Sequence, residues 1–279
     1  MADRIAYPRG YVLANLAMAA FAWVALVYLV LPQAIIVPLS LSDQSYLSFP
    51  PTGWSTQWYH RVADNPAWRM AAWNSMLIGV PVALLSMVLG TLAALAASRG
   101  GIGFAGAVAA VFVAPMMLPH VILAIGLYPL MLSMGFLSTH LAAIVGHTVV
   151  GMPLVFITVN AALARYSVAL ELAAMTLGAT PWATFWKVTF PIIRPGVLIG
   201  GILAFATSFD ELMLSLFLTG PTTRTLPRLI WEQLNDFLTP AIAAAATLIF
   251  LFTLVMLLLV AMLQLRAGRA GRAGTGGHG

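Results

Sequence analysis

The chain has 279 residues, of which 61% are hydrophobic and only 8% charged, with a mean hydropathy of +0.97. A soluble domain carries about 25% charged residues, and a membrane barrel strand is only about ten residues long. The composition therefore excludes a soluble protein, and the long apolar runs point to an all-α integral membrane protein. The net charge of +5, carried by so few Lys and Arg, reflects topology and not nucleic-acid binding. The absence of cysteine excludes a disulfide framework and thiolate metal sites.

Six spans are expected, each above the roughly 20 residues needed to cross a bilayer. Residues 11–39 form the first. Their length, with no polar domain after them, argues against a cleavable signal peptide. The loop 40–66 carries Phe49, Trp54, Trp58 and Tyr59, either as interfacial anchors or as a surface for an extracytoplasmic partner. The second span, 68–97, carries Asn74-Ser75 near its outer end. The third (104–132) contains Pro115, Pro119 and Pro129, and the fourth (139–163) Gly146, Gly151 and Pro153. Prolines free carbonyls, so such helices bend or unwind where they face protein or water. A loop over 164–195 leads to the fifth span, 196–218, and the sixth is 240–265. Gly196 and Gly200, like the alanines at 241 and 243–246, suit close helix packing within the chain or against a second subunit. Residues 266–279, RAGRAGRAGTGGHG, are low in complexity and expected to be disordered, their arginines attracting anionic lipid head groups.

Charge sets the orientation. Arg4, Arg9, Arg99, Arg165, Lys187, Arg194, Arg266, Arg269 and Arg272 fall on one side, nine of the thirteen Lys and Arg. Arg61, Arg69, Arg224 and Arg228 fall on the other, diluted by Asp43, Asp64, Glu232 and Asp236. Both termini and the 164–195 loop are therefore expected in the cytoplasm.

Within that loop, residues 170–177 have helix-forming composition, with Val168, Leu172 and Met175 on one face. Gly178 stops the helix by taking φ > 0, and Thr180 with Pro181 starts a second short helix, while Pro191 and Pro195 close the segment. Such a pair suits docking into a groove on a soluble partner or, alternatively, lying on the membrane surface.

Asp210 and Glu211 are the acidic residues inside a span, Asp210 roughly 21 Å along from Gly196 at 1.5 Å per residue. A carboxylate there costs at least about 2–3 kcal/mol unless it meets water or a partner. Ser208, Glu211 and Ser215 fall at i, i+3 and i+7 and so share one face of the expected helix, with Asp210 about 100° round beside Thr207. Either one acid pairs with an arginine or caps a helix end, or the stripe lines a translocation path favouring cationic solutes. His120, His140 and His147 lack HExxH spacing and read as packing or hydrogen-bonding residues. No GxSxG elbow occurs, and Lys187 follows Trp186 and not a glycine-rich phosphate loop. The chain is therefore not expected to be an enzyme or to bind ATP or another cofactor through that chemistry.

Glu171, Ala173 and Ala174, then Gly178, then Phe190-Pro191, resemble the EAA loop of binding-protein-dependent ABC importer permeases. Leu172 inside the Glu-Ala-Ala pattern is a variant, so the glutamate-to-glycine spacing carries the likeness. Ser208-Phe209-Asp210-Glu211-Leu212, Phe217-Leu218-Thr219-Gly220, Thr225-Leu226-Pro227 and Asn74-Ser75 look like the polyamine-type (spermidine/putrescine-like) branch. The resemblance implies a type I ABC importer permease fold, with one transmembrane domain over 1–265, in a bacterial inner membrane. It implies cytoplasmic ATP-binding subunits that dock on Glu171, Ala173, Ala174, Gly178 and Pro191. A second permease subunit and an extracytoplasmic solute-binding protein complete the implied assembly. Ser208, Asp210, Glu211 and Ser215 are the candidate path for a small, cationic solute such as a polyamine. A secondary transporter or channel using Asp210 and Glu211 as a cation or proton site is the alternative.

Overall fold

The computed structural model describes residues 9–164, 167–236 and 238–273, with side chains described from 14 to 265. Arg4 and Arg165, and the end of the tail from 274, lie outside the described residues, as do the side chains of Arg9, Arg266, Arg269 and Arg272.

The first unit, 1–62 with 237–248, is built on α1 (Arg9–Ser40). Among the described residues, the side chains of α1 are exposed almost continuously from Ala14 to Leu31. After it the chain folds back through a bridge between Ser42 and Trp54 and enters α2 (Gln57–Asp64). Trp58 is buried, its indole N–H donating to the Ser42 carbonyl at 2.8 Å, and the Arg61 guanidinium lies 4.6 Å from its ring centre. Tyr46, Phe49 and Trp54 stay exposed.

The second unit, 63–236 with 249–279, holds the main core. Its helices are α3 (Pro66–Arg99), α4 (Ile102–Met117), α5 (His120–Ser133), α6 (His140–Leu163), α7 (Ala169–Thr176), α8 (Pro181–Thr184), α9 (Phe190–Phe209), α10 (Met213–Leu218) and α11 (Leu226–Asp236). The later part of α12 (Pro240–Ala273) belongs to it as well. Asn65 caps α3 by accepting from the Ala67 N–H at 2.8 Å, with Pro66 at the first helical position. The core is a three-helix contact of α3, α6 and α9, through Ala94, Leu95, Val155, Val159, Ile193 and Val197. Small residues let these backbones approach. A Cβ at Gly90 would lie 2.9 Å from the Met152 carbonyl oxygen, and one at Gly200 would lie 2.6 Å from the Val155 Cα. Gly196 and Gly200 thus pack within the chain, against α6.

Among the described residues, five helices are long and apolar enough to cross a membrane, and α4 with α5 pass that test only as a pair bent by 102°. The third span, expected over 104–132 with bending or unwinding at its prolines, is broken between α4 and α5. Leu118 is extended (φ −91°, ψ 135°) because the following Pro119 disfavours the helical region for it.

The fifth span differs from expectation. Helix starts at Pro181 and runs for 29 residues to Phe209, through a π-helical turn at Phe185–Thr189. Pro191 and Pro195 do not close the segment. In the π turn the Phe190 N–H reaches the Phe185 carbonyl, five residues back, so the ladder is already shifted where Pro191 lacks its donor. The helix then stops at Phe209, so Ser208, Glu211 and Ser215 do not share one continuous helix face. At the C-terminal end α12 continues as helix to Ala273, past the expected end at Leu265, because the Ala and Arg of the tail are strong helix formers between its glycines.

Candidate functional site

The 169–196 stretch folds as a helical hairpin whose turn follows from local chemistry. Gly178 has φ +89°. Its N–H donates to the Met175 carbonyl, and the Ala179 N–H to that of Ala174, each at 3.0 Å. This is a Schellman ending for α7, the two bonds satisfying carbonyls that the helix terminus leaves open. Thr180 then caps α8, its hydroxyl oxygen accepting from the Ala183 N–H at 3.2 Å, with Pro181 at the first helical position.

The hairpin leaves apolar side chains in the open. Val168, Leu170, Leu172 and Met175 are exposed, Leu177 is 89% exposed and Trp182 72%. Trp182, Phe185, Trp186 and Phe190 form a run of ring contacts, with centroids 5.7, 5.1 and 4.9 Å apart for the pairs 182–186, 185–186 and 186–190. Ala173 and Pro191 are exposed and Ala174 half-buried. Glu171 behaves differently. It is 9% exposed, and its Oε1 accepts from Arg99 Nη2 at 2.8 Å and from the Thr189 hydroxyl at 2.6 Å. Neither partner was legible from the sequence, where Arg99 counted only as a topology charge.

The second group of candidates lies where the α9 rod ends. Residues 210–212 form a break before α10, and Glu211 spans it. Its Oε1 accepts from the Leu214 N–H at 3.1 Å, and its Oε2 lies 2.7 Å from His120 Nδ1 on α5. Ser215 donates its hydroxyl to the Glu211 carbonyl at 2.8 Å. That hydroxyl proton being used, Ser215 Oγ accepts from His147 Nε2 at 3.3 Å. His147 Nδ1 lies 2.9 Å from the Ser208 hydroxyl. His147 is 1% exposed and so joins the last turn of α9 to α10 inside the core. The far end of α10 is held by Arg228, which donates to the Thr219 carbonyl and, at 2.9 Å, to its hydroxyl oxygen. Such a cation offsets the partial negative charge of a helix C-terminus.

Asn74-Ser75 holds the loop that follows. Asn74 Nδ2 donates to the Thr222 and Arg224 carbonyls at 3.0 and 2.9 Å, its Oδ1 accepts from His140 Nε2 at 2.8 Å, and Ser75 Oγ accepts from the Leu226 N–H at 2.9 Å. Ser208, Glu211 and Ser215 are buried and engaged with each other through His147 and the backbone. Asp210 is exposed and its carboxylate makes no hydrogen bond or ion pair among the described residues. It lines a cavity of about 500 Å³ with His120, Thr207 and Glu211 as the other ionisable or polar groups from α5 and the α9–α10 break. Leu203, Ala206, Leu212, Met213, Thr253 and Leu257 form most of the remaining wall. The sequence placed both acids in one polar stripe, and the fold separates them into an engaged Glu211 and an open Asp210.

The model of the family described as "binding-protein-dependent transport system inner membrane component" matches residues 71–269. The putrescine transport system permease protein PotI of Escherichia coli (strain K12) is 34% identical over 71% of this chain and 73% of its own length. The spermidine/putrescine transport system permease protein PotC of the same strain is 28% identical over 82% of this chain and 86% of its own. Among solved structures, a chain of a bacterial ABC transporter involved in the import of the acidic polysaccharide alginate superposes with a TM-score of 0.67 at 15% identity. That superposition covers 94% of this chain and 98% of the other. At that identity the likeness concerns the fold alone.

Proposed function

This chain belongs to the family of binding-protein-dependent transport system inner membrane components, and from that premise we propose that it forms the translocation path of an ATP-driven importer for a small cationic solute such as a polyamine. It is a multi-pass protein of the cell inner membrane. In this reading both termini and the hairpin at Ala169–Thr176 and Pro181–Thr184 face the cytoplasm, where separate ATP-binding subunits dock on the hairpin. The observation that carries it is the hairpin itself. A rigid Schellman turn presents Leu172, Met175, Leu177 and Trp182 outward, an apolar surface that water does not favour and a protein groove would cover.

A second permease subunit fits the exposed length of α1, and an extracytoplasmic binding protein fits the open Tyr46, Phe49 and Trp54. Asp210 is the group for the solute. Glu211 spends one oxygen on the Leu214 N–H and the other on His120, whereas Asp210 stands open in the cavity. The two polyamine permeases among the relatives support a cationic amine as its ligand.

Purification from native membranes tests the reading. A nucleotide-binding chain is expected to come down with this one, and vesicles holding the complex should import putrescine only when ATP is supplied. Uptake by the chain without any ATPase, driven by an ion gradient, would instead make it a secondary transporter.

A further inference from the structure

Glu171 is the acidic residue of the docking hairpin, yet its carboxylate is directed into its own chain. Its Oε1 is shared by Arg99, the last residue of α3, and by Thr189 in the π-helical turn that opens into α9. One oxygen therefore ties together three elements whose residues lie up to 72 and 18 positions away from it in sequence. We propose that Arg99, Glu171 and Thr189 form a bracket that carries any displacement of α7 into the transmembrane core, with Arg99 as its positioning residue.

The location of the three groups carries the argument. The hairpin turn at Gly178 links α7 to α8 covalently, and the Arg99–Glu171 contact links α7 to the end of α3 across 72 residues of chain. The bracket supplies that link, and it does so where α3 meets the core: Leu95 and Ala97, within one turn of Arg99, pack in the same cluster as Ile193 of α9, with Phe185 and Phe190 against it. Thr189 is fully buried, so removing its acceptor strands a buried hydroxyl. Arg99 is different, its side chain 52% exposed against 12% for Glu171. An ion pair so open to water adds little to stability, so the contribution of Arg99 is directional: it fixes where Glu171, and with it α7, sits against the end of α3.

The inference rests on the docking reading for the source of the displacement, but not for the bracket itself, and two measurements separate them. The first uses the full permease chain in detergent without ATPase. Amide exchange over residues 170–176 is expected to rise about two- to fivefold in Arg99→Ala, to rise less in Arg99→Lys, and to return toward wild type in the swapped pair Arg99→Glu with Glu171→Arg. The second uses the assembled importer in vesicles. Arg99→Ala should assemble at wild-type yield but hydrolyse at least about fivefold more ATP per solute imported, with the swap recovering most of that loss. Wild-type exchange and wild-type coupling in Arg99→Ala would overturn the bracket, as would a swap no better than the worse single variant. A Glu171 that acts only on an ATPase predicts an inert Arg99. Should no ATPase assemble with the wild-type chain, the docking reading falls while the exchange measurement still decides the bracket.

Discussion

Two buried glutamates mark the two ends of the Pro181–Phe209 rod, Glu171 bonded to its π turn and Glu211 just beyond its last residue. Each is engaged inside the chain and each stands beside something left open. Glu171 braces a hairpin whose exposed neighbours are Leu172, Leu177 and Trp182. Glu211 braces a helix break whose exposed neighbour is Asp210. The glutamates set geometry, and the adjacent residues present chemistry. At one end that chemistry is apolar and spread over two helices, fit for a macromolecule. At the other it is one unengaged carboxylate, Asp210, in a cavity of about 500 Å³ that Glu211 also lines, where the proposed cation would sit.

The largest effect is expected at the hairpin. Gly178→Val forces a β-branched L-residue into φ +89°, a conformation that costs roughly 1–2 kcal/mol or more. ATP-driven uptake should fall by at least about tenfold, the loss that 1.4 kcal/mol represents, while circular dichroism shows the spans intact. Undiminished uptake would remove the hairpin from one side of the comparison. Next comes Asp210→Asn. Removing a charge-assisted contact worth about 1.5–3 kcal/mol should lower diamine uptake roughly 10- to 100-fold at an unchanged melting temperature. Glu211→Gln should instead lower the melting temperature and reduce uptake of any solute alike. If the two variants behave identically, the division of labour between these acids is broken.

His147→Ala is expected to cost about 1–3 kcal/mol of stability, because it leaves the buried Ser208 hydroxyl without its partner, and thermal unfolding in detergent reads this directly. Solute preference should not move. The smallest change to the chain itself is Leu177→Ala. An 89% exposed leucine carries no packing, so stability should stay within about 0.5 kcal/mol, while ATPase affinity measured by titration should drop severalfold, by about 1 kcal/mol.

The parts legible in the sequence are those whose causes are local. Gly178, Thr180 and Pro181 dictate a stop and a start within four residues, and the structure has both. Pro119 marks a break for the same reason, although its angle of 102° depends on what the two halves pack against. The features that the sequence conceals depend on distant partners. Reading on through Asp210 and Glu211 as one helix was reasonable from polarity spacing. What ends the helix is a capping carboxylate held by His120, 91 residues away, and a histidine reaching two serines from another span, 61 and 68 residues away. Arg99 gave no sign of Glu171 across 72 residues, since an arginine after an apolar run is what topology alone demands. The π turn was hidden too, because two prolines inside 185–195 look like an ending unless the ladder shifts register ahead of them.

Gly178 has one more consequence. A Cβ built on it would find nothing within 4 Å, so the site is not small, it is handed. What it selects is the sign of a dihedral angle, which an L side chain resists and its mirror image prefers. A D-alanine introduced there by semisynthesis would match the sign of that dihedral, keep the turn and stiffen it. Size and chirality, usually inseparable in a glycine requirement, come apart at this position.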